Sequence, residues 1–422
     1  MKRSVVALAV VLAAGVACGA TPETPVAVPS ASLAPSVGAT PSPETTASAT
    51  PTPRPDPTES RTPTPESVRP SIRTNALGRL TGNWLFVGEQ VRQTDVIYRS
   101  ENQIWAVPLD RGPAKLAFAY DVTTAGTPEA VFDNTPYLRR QFSPDGSRMV
   151  VSISGQLVVV DLVSGGVTSL GTSGYFPAWS KDGSRIAFVA YLPFDGFVPL
   201  EHGIFVVSAT GGPVTQLAKV GYSTQSVEWS PDGSMVIVAE PLSTVIVDAA
   251  NGKVIRVLTE IASYGSSFAH WRSAKPQIAL AAGSCDGTTT LLVVLGNFSE
   301  AERTLLDTGE RCPDLSIRDP RWNPANASEL LYVATRAQPG RMPHEYRAHM
   351  LDIASGHDTT LPFDASEATW TWDGASIAYL TSNVQSGFGD AVNLAGRDGN
   401  GSRSLLKANG DDFFFSVASV AY

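Results

Sequence analysis

Catalytic and metal-binding signatures are missing from this 422-residue chain, and so are most of the residues that would staple or anchor it. It holds three cysteines, Cys18, Cys285 and Cys312, too few for a disulfide-built scaffold or a cysteine-rich metal site. No apolar run is long enough to span a bilayer; the longest, Val5 to Val16, has the length of a secretion signal. No Phe, Trp or Tyr precedes Trp84, so the first part of the chain has nothing with which to build a core. Lys and Arg number 31 against 40 Asp and Glu, a net charge of −9 with no long basic run, which argues against nucleic acid and anionic lipid as partners. There is no Gly-x-Ser-x-Gly elbow, no His-x-x-x-His and no Glu-x-x-His. The five histidines, His202, His270, His344, His349 and His357, are scattered. No cofactor, no metal and no catalytic residue is expected.

What is present divides into three parts. Residues 1–17 combine a basic start (Lys2, Arg3), an apolar run and small residues before Cys18. This resembles a bacterial lipoprotein signal, with Cys18 as the lipidated first residue; Gly15 departs from it by standing where Leu is usual. Residues 18–71 are rich in Pro, Thr and Ser, with 13 of the 31 prolines between Gly19 and Ser71. Such a segment cannot offset its ordering entropy by burial and reads as a disordered, polyproline-like tether. Residues 72–422 carry all 35 aromatic residues and form the folded domain.

The domain is built on a repeat. Trp229-Ser230-Pro231-Asp232-Gly233-Ser234 precedes the apolar run Met235 to Val238. Proline presets the first turn position, aspartate bonds to local N–H groups and glycine supplies a positive φ, so the motif is a tight turn between two strands. Copies begin at Phe142, Trp179 and Trp370, and degraded copies at Trp271 and Trp322, where Asn326 stands in the place of Gly as the next-best residue for positive φ. Steps of 37, 50, 42, 51 and 48 residues separate these anchors. Four short strands per period predict an all-β propeller of four-stranded blades. The first copy lacks its anchor strand, and Phe413 to Tyr422 is a strand without a blade, so pairing of the two is expected to close the ring. Seven blades are expected, with six as the alternative.

The Trp/Phe-Ser-Pro-Asp-Gly-Ser pattern followed by an apolar strand resembles the TolB-type, WD-like propeller repeat, over roughly residues 84 to 422. In that family the propeller docks another envelope protein, but its companion α/β domain has no counterpart here, where the tether stands instead. Within the fifth blade, Cys285 falls in a loop between second and third strands and Cys312 in the loop to the next blade, two loops that open on the same face. A Cys285–Cys312 disulfide is expected there, in keeping with an exported chain.

Two candidate sites emerge. The residues before the anchors, Gln141, Ala178, Glu228, His270, Arg321 and Thr369, lie on the innermost strands; Gln141, Glu228, His270 and Arg321 form either a hydrogen-bonded network between blades or a polar channel site. The second set lies on longer loops at the end away from the turns: Tyr98; Phe194, Phe197 and His202; and Arg341, His344, Tyr346 and Arg347. The function expected is a monomeric, lipid-anchored scaffold outside the cytoplasmic membrane that binds an envelope or extracellular protein, peptide or glycan. The alternative is an enzyme at the channel mouth, such as a metal-assisted polysaccharide lyase or hydrolase.

Overall fold

A computed structural model describes residues 71–92, 99–110, 112–123, 138–191, 202–220, 224, 226–239, 244–258, 269–271, 277–283, 289–294, 303–307, 315–337, 343–382, 389–410 and 412–421. All lie in the compact unit Ser67–Tyr422. The repeated turn shows why these residues make strands in pairs. Ser230 N–H donates to Met235 O at 2.9 Å and Gly233 N–H to Ser230 O at 2.9 Å, with Gly233 at φ 70°. Asp232 Oδ1 accepts Ser230 Oγ at 2.6 Å and Ser234 N–H at 3.0 Å, while Ser230 Oγ accepts Met235 N–H at 2.9 Å. These bonds close the turn locally, and the chain emerges antiparallel to its entry.

The strands group in chain order. The first group is β1 (Ile72–Thr74), β2 (Asn83–Arg92), β3 (Arg99–Pro108) and β4 (Lys115–Thr123). A one-turn helix, α1 (Leu138–Gln141), leads into a three-stranded sheet of β5 (Arg148–Ile153), β6 (Gln156–Asp161) and β7 (Val167–Ser173). Four four-stranded sheets follow: β8 (Tyr175–Trp179) to β11 (Thr215–Val220), with β9 (Arg185–Tyr191) and β10 (His202–Ser208) between; then β12 (Ser226–Trp229), β13 (Met235–Ala239), β14 (Thr244–Asp248) and β15 (Val254–Leu258). The other two are β16 (Ala269–Trp271), β17 (Ile278–Gly283), β18 (Thr289–Val294) and β19 (Arg303–Asp307), and β20 (Leu315–Trp322), β21 (Glu329–Ala337), β22 (Pro343–Asp352) and β23 (His357–Asp364). The last group is β24 (Glu367–Trp370), β25 (Ser376–Ser382), β26 (Gly389–Gly396) and β27 (Arg403–Lys407), ending with β28 (Phe413–Ala421). Strand β28 pairs antiparallel with β2, from Asn83↔Ala421 to Gln90↔Phe413, and touches β26 at Gly389↔Phe414, which joins the first and last groups into one nine-stranded sheet.

The core lies between sheets. Phe86, Ile104 and Phe118 pack on Met149, Val151 and Val158; Val150 and Leu157 on Trp179, Ile186 and Phe188; Ala187 and Val189 on Trp229, Val236 and Val245. Leu331 and Val333 pack on Trp370 and Ile377, and Ala378 and Leu380 on Leu85, Val87 and Val417, so the last group meets the first. These are the alternate residues of short strands with both faces covered, which is why the runs read as almost continuously apolar. The result is an all-β, propeller-type fold.

Two local expectations change. Gln141 lies in α1 and not on an innermost strand; only the Phe142↔Met149 bridge marks a fourth strand beside β5, because the chain enters this sheet through a helical turn. Asn326 does not take positive φ. Its turn is one residue longer, closing from Asn323 N–H to Glu329 O at 3.0 Å with a second bond from Glu329 N–H to Asn326 O at 3.0 Å, so no left-handed residue is needed.

Candidate channel-mouth site

The anchor tryptophans set up the walls of the site. Trp229 Nε1 donates to Ala178 O at 3.1 Å and Trp370 Nε1 to Arg321 O at 3.2 Å, in each case the carbonyl just before the preceding sheet's anchor. A guanidinium from the preceding sheet covers the ring: Arg185 lies 4.6 Å from the Trp229 centroid and Arg148 lies 4.8 Å from that of Trp179. Trp179 departs from the pattern in one respect. Its Nε1 is buried without a hydrogen-bond partner, and the position that would supply the carbonyl, Gln141, belongs to α1.

Helix α1 packs against β8 and β28 and brings two arginines to the inner strands. Arg140 Nη2 pairs with Glu228 Oε2 at 3.0 Å. Across from them Arg321 Nη2 pairs with Asp319 Oδ2 at 2.7 Å and lies 3.7 Å from Glu367 Oε1, its side chain only 3 % exposed. Asp319 reaches this position through a break in the β20–β21 register between Arg318 and Arg321, where it adopts φ 51° ahead of Pro320, a residue with no N–H for the ladder. Glu367 Oε1 also accepts Ser416 Oγ at 3.2 Å and Val417 N–H at 3.4 Å.

Burial, followed by the charge of Asp319, pushes the Glu367 carboxyl well above the ordinary glutamate value, against the pull of Arg321. Burial lowers Arg321, but Asp319 and Glu367 outweigh it and the net shift is upward. Arg139 is held down at about 10, first by burial and then by the charge of Arg321, with Arg140 adding to it. The arginines thus crowd one another despite the carboxylates among them.

A cavity of about 180 Å³ opens beside this cluster at the end of the inner strands where the Ser-Pro-Asp-Gly turns lie. Arg139, Arg140, Arg321, Lys181 and Glu228 supply its charge, Trp179, Trp229 and Trp372 its flat apolar surface, and Ser143, Ser180 and Ser230 its hydroxyls. Trp372 occupies the proline position of its turn and is 52 % exposed, while its N–H donates to Ser419 Oγ at 2.9 Å.

The structure therefore brings Glu228 and Arg321 of the expected channel set into one charged cluster, with Gln141 buried in α1 beside it. His270 lies on β16, its side chain outside the described residues, as is that of His344 on β22. Tyr98, Phe194, Phe197 and Arg341, and Cys18, Cys285 and Cys312, also lie outside them. His202 begins β10 with its ring edge-on to Tyr191 at 4.7 Å. Arg347 pairs with Asp364 at 3.0 Å and with Glu345 at 3.4 Å.

Tyr346 corrects the loop assignment: it is 4 % exposed in β22, because β21 and β22 extend to Ala337 and from Pro343 and carry it into the core. Sequence reasoning missed Arg139, Arg140, Asp319, Glu367 and Trp372. The available signals were the Arg-Arg pair directly before an anchor, the Asp-Pro ahead of Arg321, and a tryptophan in a turn position that favours proline. No group of three metal-ligating side chains occurs among the described residues.

No family model and no curated protein matches the chain. Solved structures do. An acylaminoacyl peptidase of Pyrococcus horikoshii superposes with a TM-score of 0.52 at 13% identity, over 78% of this chain and 51% of that one. An oligogalacturonate lyase in complex with manganese gives 0.49 at 12% identity over 79% and 88%, and TolB from Acinetobacter baumannii gives 0.42 at 13% over 78% and 82%. The likeness is one of fold, that of a β-propeller.

Proposed function

We propose that this chain is a seven-bladed propeller, its ring closed by β2 and β28, that works outside the cytoplasmic membrane as a non-catalytic binding scaffold for an envelope or extracellular protein, peptide or glycan. Its Pro/Thr/Ser-rich segment serves as a tether and Cys18 as the lipid attachment point. The observation that carries the binding reading is the composition of the channel mouth. Its one acidic lining residue, Glu228, is committed to Arg140, and among the described lining residues no Ser stands with a His or an uncommitted carboxylate as nucleophile and base. What the cavity offers is donors and aromatic surface, the means of recognition.

Glu367, with its raised pKa, is the one feature that favours the enzymatic alternative. It is not among the residues lining the cavity, and its oxygen is held by Ser416 and Val417.

The test uses the full-length chain as bait against envelope extracts, beside Trp372→Ala. A partner recovered intact by the wild type and lost from the variant supports the reading; recovery of chemically cleaved material, or equal recovery by both, overturns it. For the tether, Cys18→Ser is expected to move the protein from the membrane fraction to the soluble exported fraction, read by fractionation and mass spectrometry of the mature N-terminus. Unchanged partition would remove the lipid anchor from the proposal.

A further inference from the structure

Resting on the binding reading above, we infer that the channel-mouth cavity takes an organic carboxylate carried on a single flat ring. Charge comes first. Four cationic residues, Arg139, Arg140, Lys181 and Arg321, line the cavity against one acidic residue, Glu228, in a chain whose net charge is −9. This local reversal of sign selects anions and concentrates them at the mouth. Arg139 is held at about 10 by burial first and then by the charge of Arg321, and an anion entering the cavity relieves the second of these.

Hydrogen bonding comes second. Two wall residues keep buried donors with no partner in the protein, Arg321 at Nε and Trp179 at Nε1, and buried donors are rarely left so. A guanidinium is the side chain best suited to the two oxygens of one carboxylate, and three of the lining residues, Arg139, Arg140 and Arg321, carry one. Arg321 itself is held by Asp319 and Glu367, so it meets a ligand in a fixed orientation.

Size and surface come third. The volume of about 180 Å³ is close to that of cavities, ~150 Å³, that hold one benzene ring. The rings of Trp179 and Trp229 are covered by Arg148 and Arg185, whereas Trp372 at the rim is 52 % exposed and supplies an apolar face for stacking. Two sources share this chemistry: a free ring-bearing acid, or the C-terminal aromatic residue of a partner chain.

Isothermal titration of the full-length protein tests the assignment with defined probes. Benzoate is expected to bind at least about tenfold more tightly than benzamide, which keeps the ring and loses the charge, and more tightly than inorganic phosphate, which keeps the charge and loses the ring. N-acetylphenylalanine against its amide reports the second source: tighter binding of this acid than of benzoate assigns a chain end, and the reverse order assigns a free acid. Trp372→Ala and Lys181→Ala, both at exposed rim positions, are each expected to weaken benzoate or N-acetylphenylalanine about fivefold without moving the melting temperature, and Arg321→Lys about tenfold or more. Equal binding of acid and amide, tighter binding of phosphate, indifference to Trp372→Ala, or no binding of either acid at millimolar concentration overturns the carboxylate assignment. If the acids fail while the bait still captures a partner, the ligand class falls and the scaffold reading stands; turnover of a probe removes the scaffold reading.

Discussion

Two carboxyl groups in this molecule respond to pH in opposite directions, and each reports its own surroundings. Asp182 in the third copy of the turn accepts Ser180 Oγ at 2.6 Å, Ser184 Oγ at 2.7 Å and Ser184 N–H at 3.1 Å, and these bonds hold it at about 2. A depressed carboxyl stabilises the fold above its ordinary value of 3.8 and loses that contribution as pH falls through about 2. Asp182→Asn is expected to cost about 1 kcal/mol at neutral pH, limited by solvent screening of an exposed group, with the difference narrowing toward pH 2. Thermal melts of both proteins across that range check it. Glu367 behaves the other way. Its raised pKa means that the folded state holds a proton the unfolded chain releases, so stability declines as pH rises above the ordinary value of 4.5. Glu367→Gln keeps the shape without the charge and is expected to match or exceed the wild type in stability at pH 8 while gaining nothing at pH 4. A larger loss at pH 8 than at pH 4 would mean that the ionised form is the one Arg321 needs.

At the scale of elements, α1 is the departure from the repeat that matters most. A strand in its place would present a carbonyl to Trp179, as Ala178 does to Trp229 and Arg321 does to Trp370. The two indoles are therefore unequal, although each packs between sheets under a guanidinium. Phe in place of Trp229 forfeits a buried hydrogen bond, an expected cost about 1 kcal/mol greater than the same change at Trp179. Chemical denaturation of Trp229→Phe and Trp179→Phe measures the gap; equal costs would show that the unpartnered indole has no energetic consequence. This contrast also shows what the sequence made legible. The turns were readable because Ser, Asp and Gly at 230–233 satisfy one another within a few residues. The arginine cluster was not, because it exists only where a helical turn replaces a strand and aims Arg140 at Glu228 on another sheet. Tyr346 lay between: the alternation of buried Tyr346 and Ala348 with less buried neighbours marks a strand, but the longer spacing between anchors invited a loop.

For the whole molecule, the ends of the folded domain carry more weight than their length suggests. Strand β28 does three things at once. It pairs with β2 over eight positions, it contributes Val417 to the core between the last and first groups, and its Ser416 and Val417 N–H hold Glu367 beside Arg321. At the other end β1 adds to the outer edge, pairing with β4 from Ile72↔Tyr120 to Thr74↔Phe118, and Leu77 and Gly78 donate to Leu162 and Val163 of the next group at 3.0 and 3.1 Å. The described domain thus begins at the outer edge of its sheet with β1, while the charged cavity lies against the inner strands. Removal of residues 413–422 exposes the inner edge of β2 and uncovers Leu85 and Val87, and no local rearrangement replaces a strand between two groups. Loss of the cooperative melt is expected, with dye-binding apolar surface, whereas removal of residues 18–66 is expected to leave the melt unchanged because that segment lies in the other unit. Differential scanning calorimetry of the two truncations decides it: a chain ending at Asp412 that melts like the intact protein would show that the ring does not depend on its last strand.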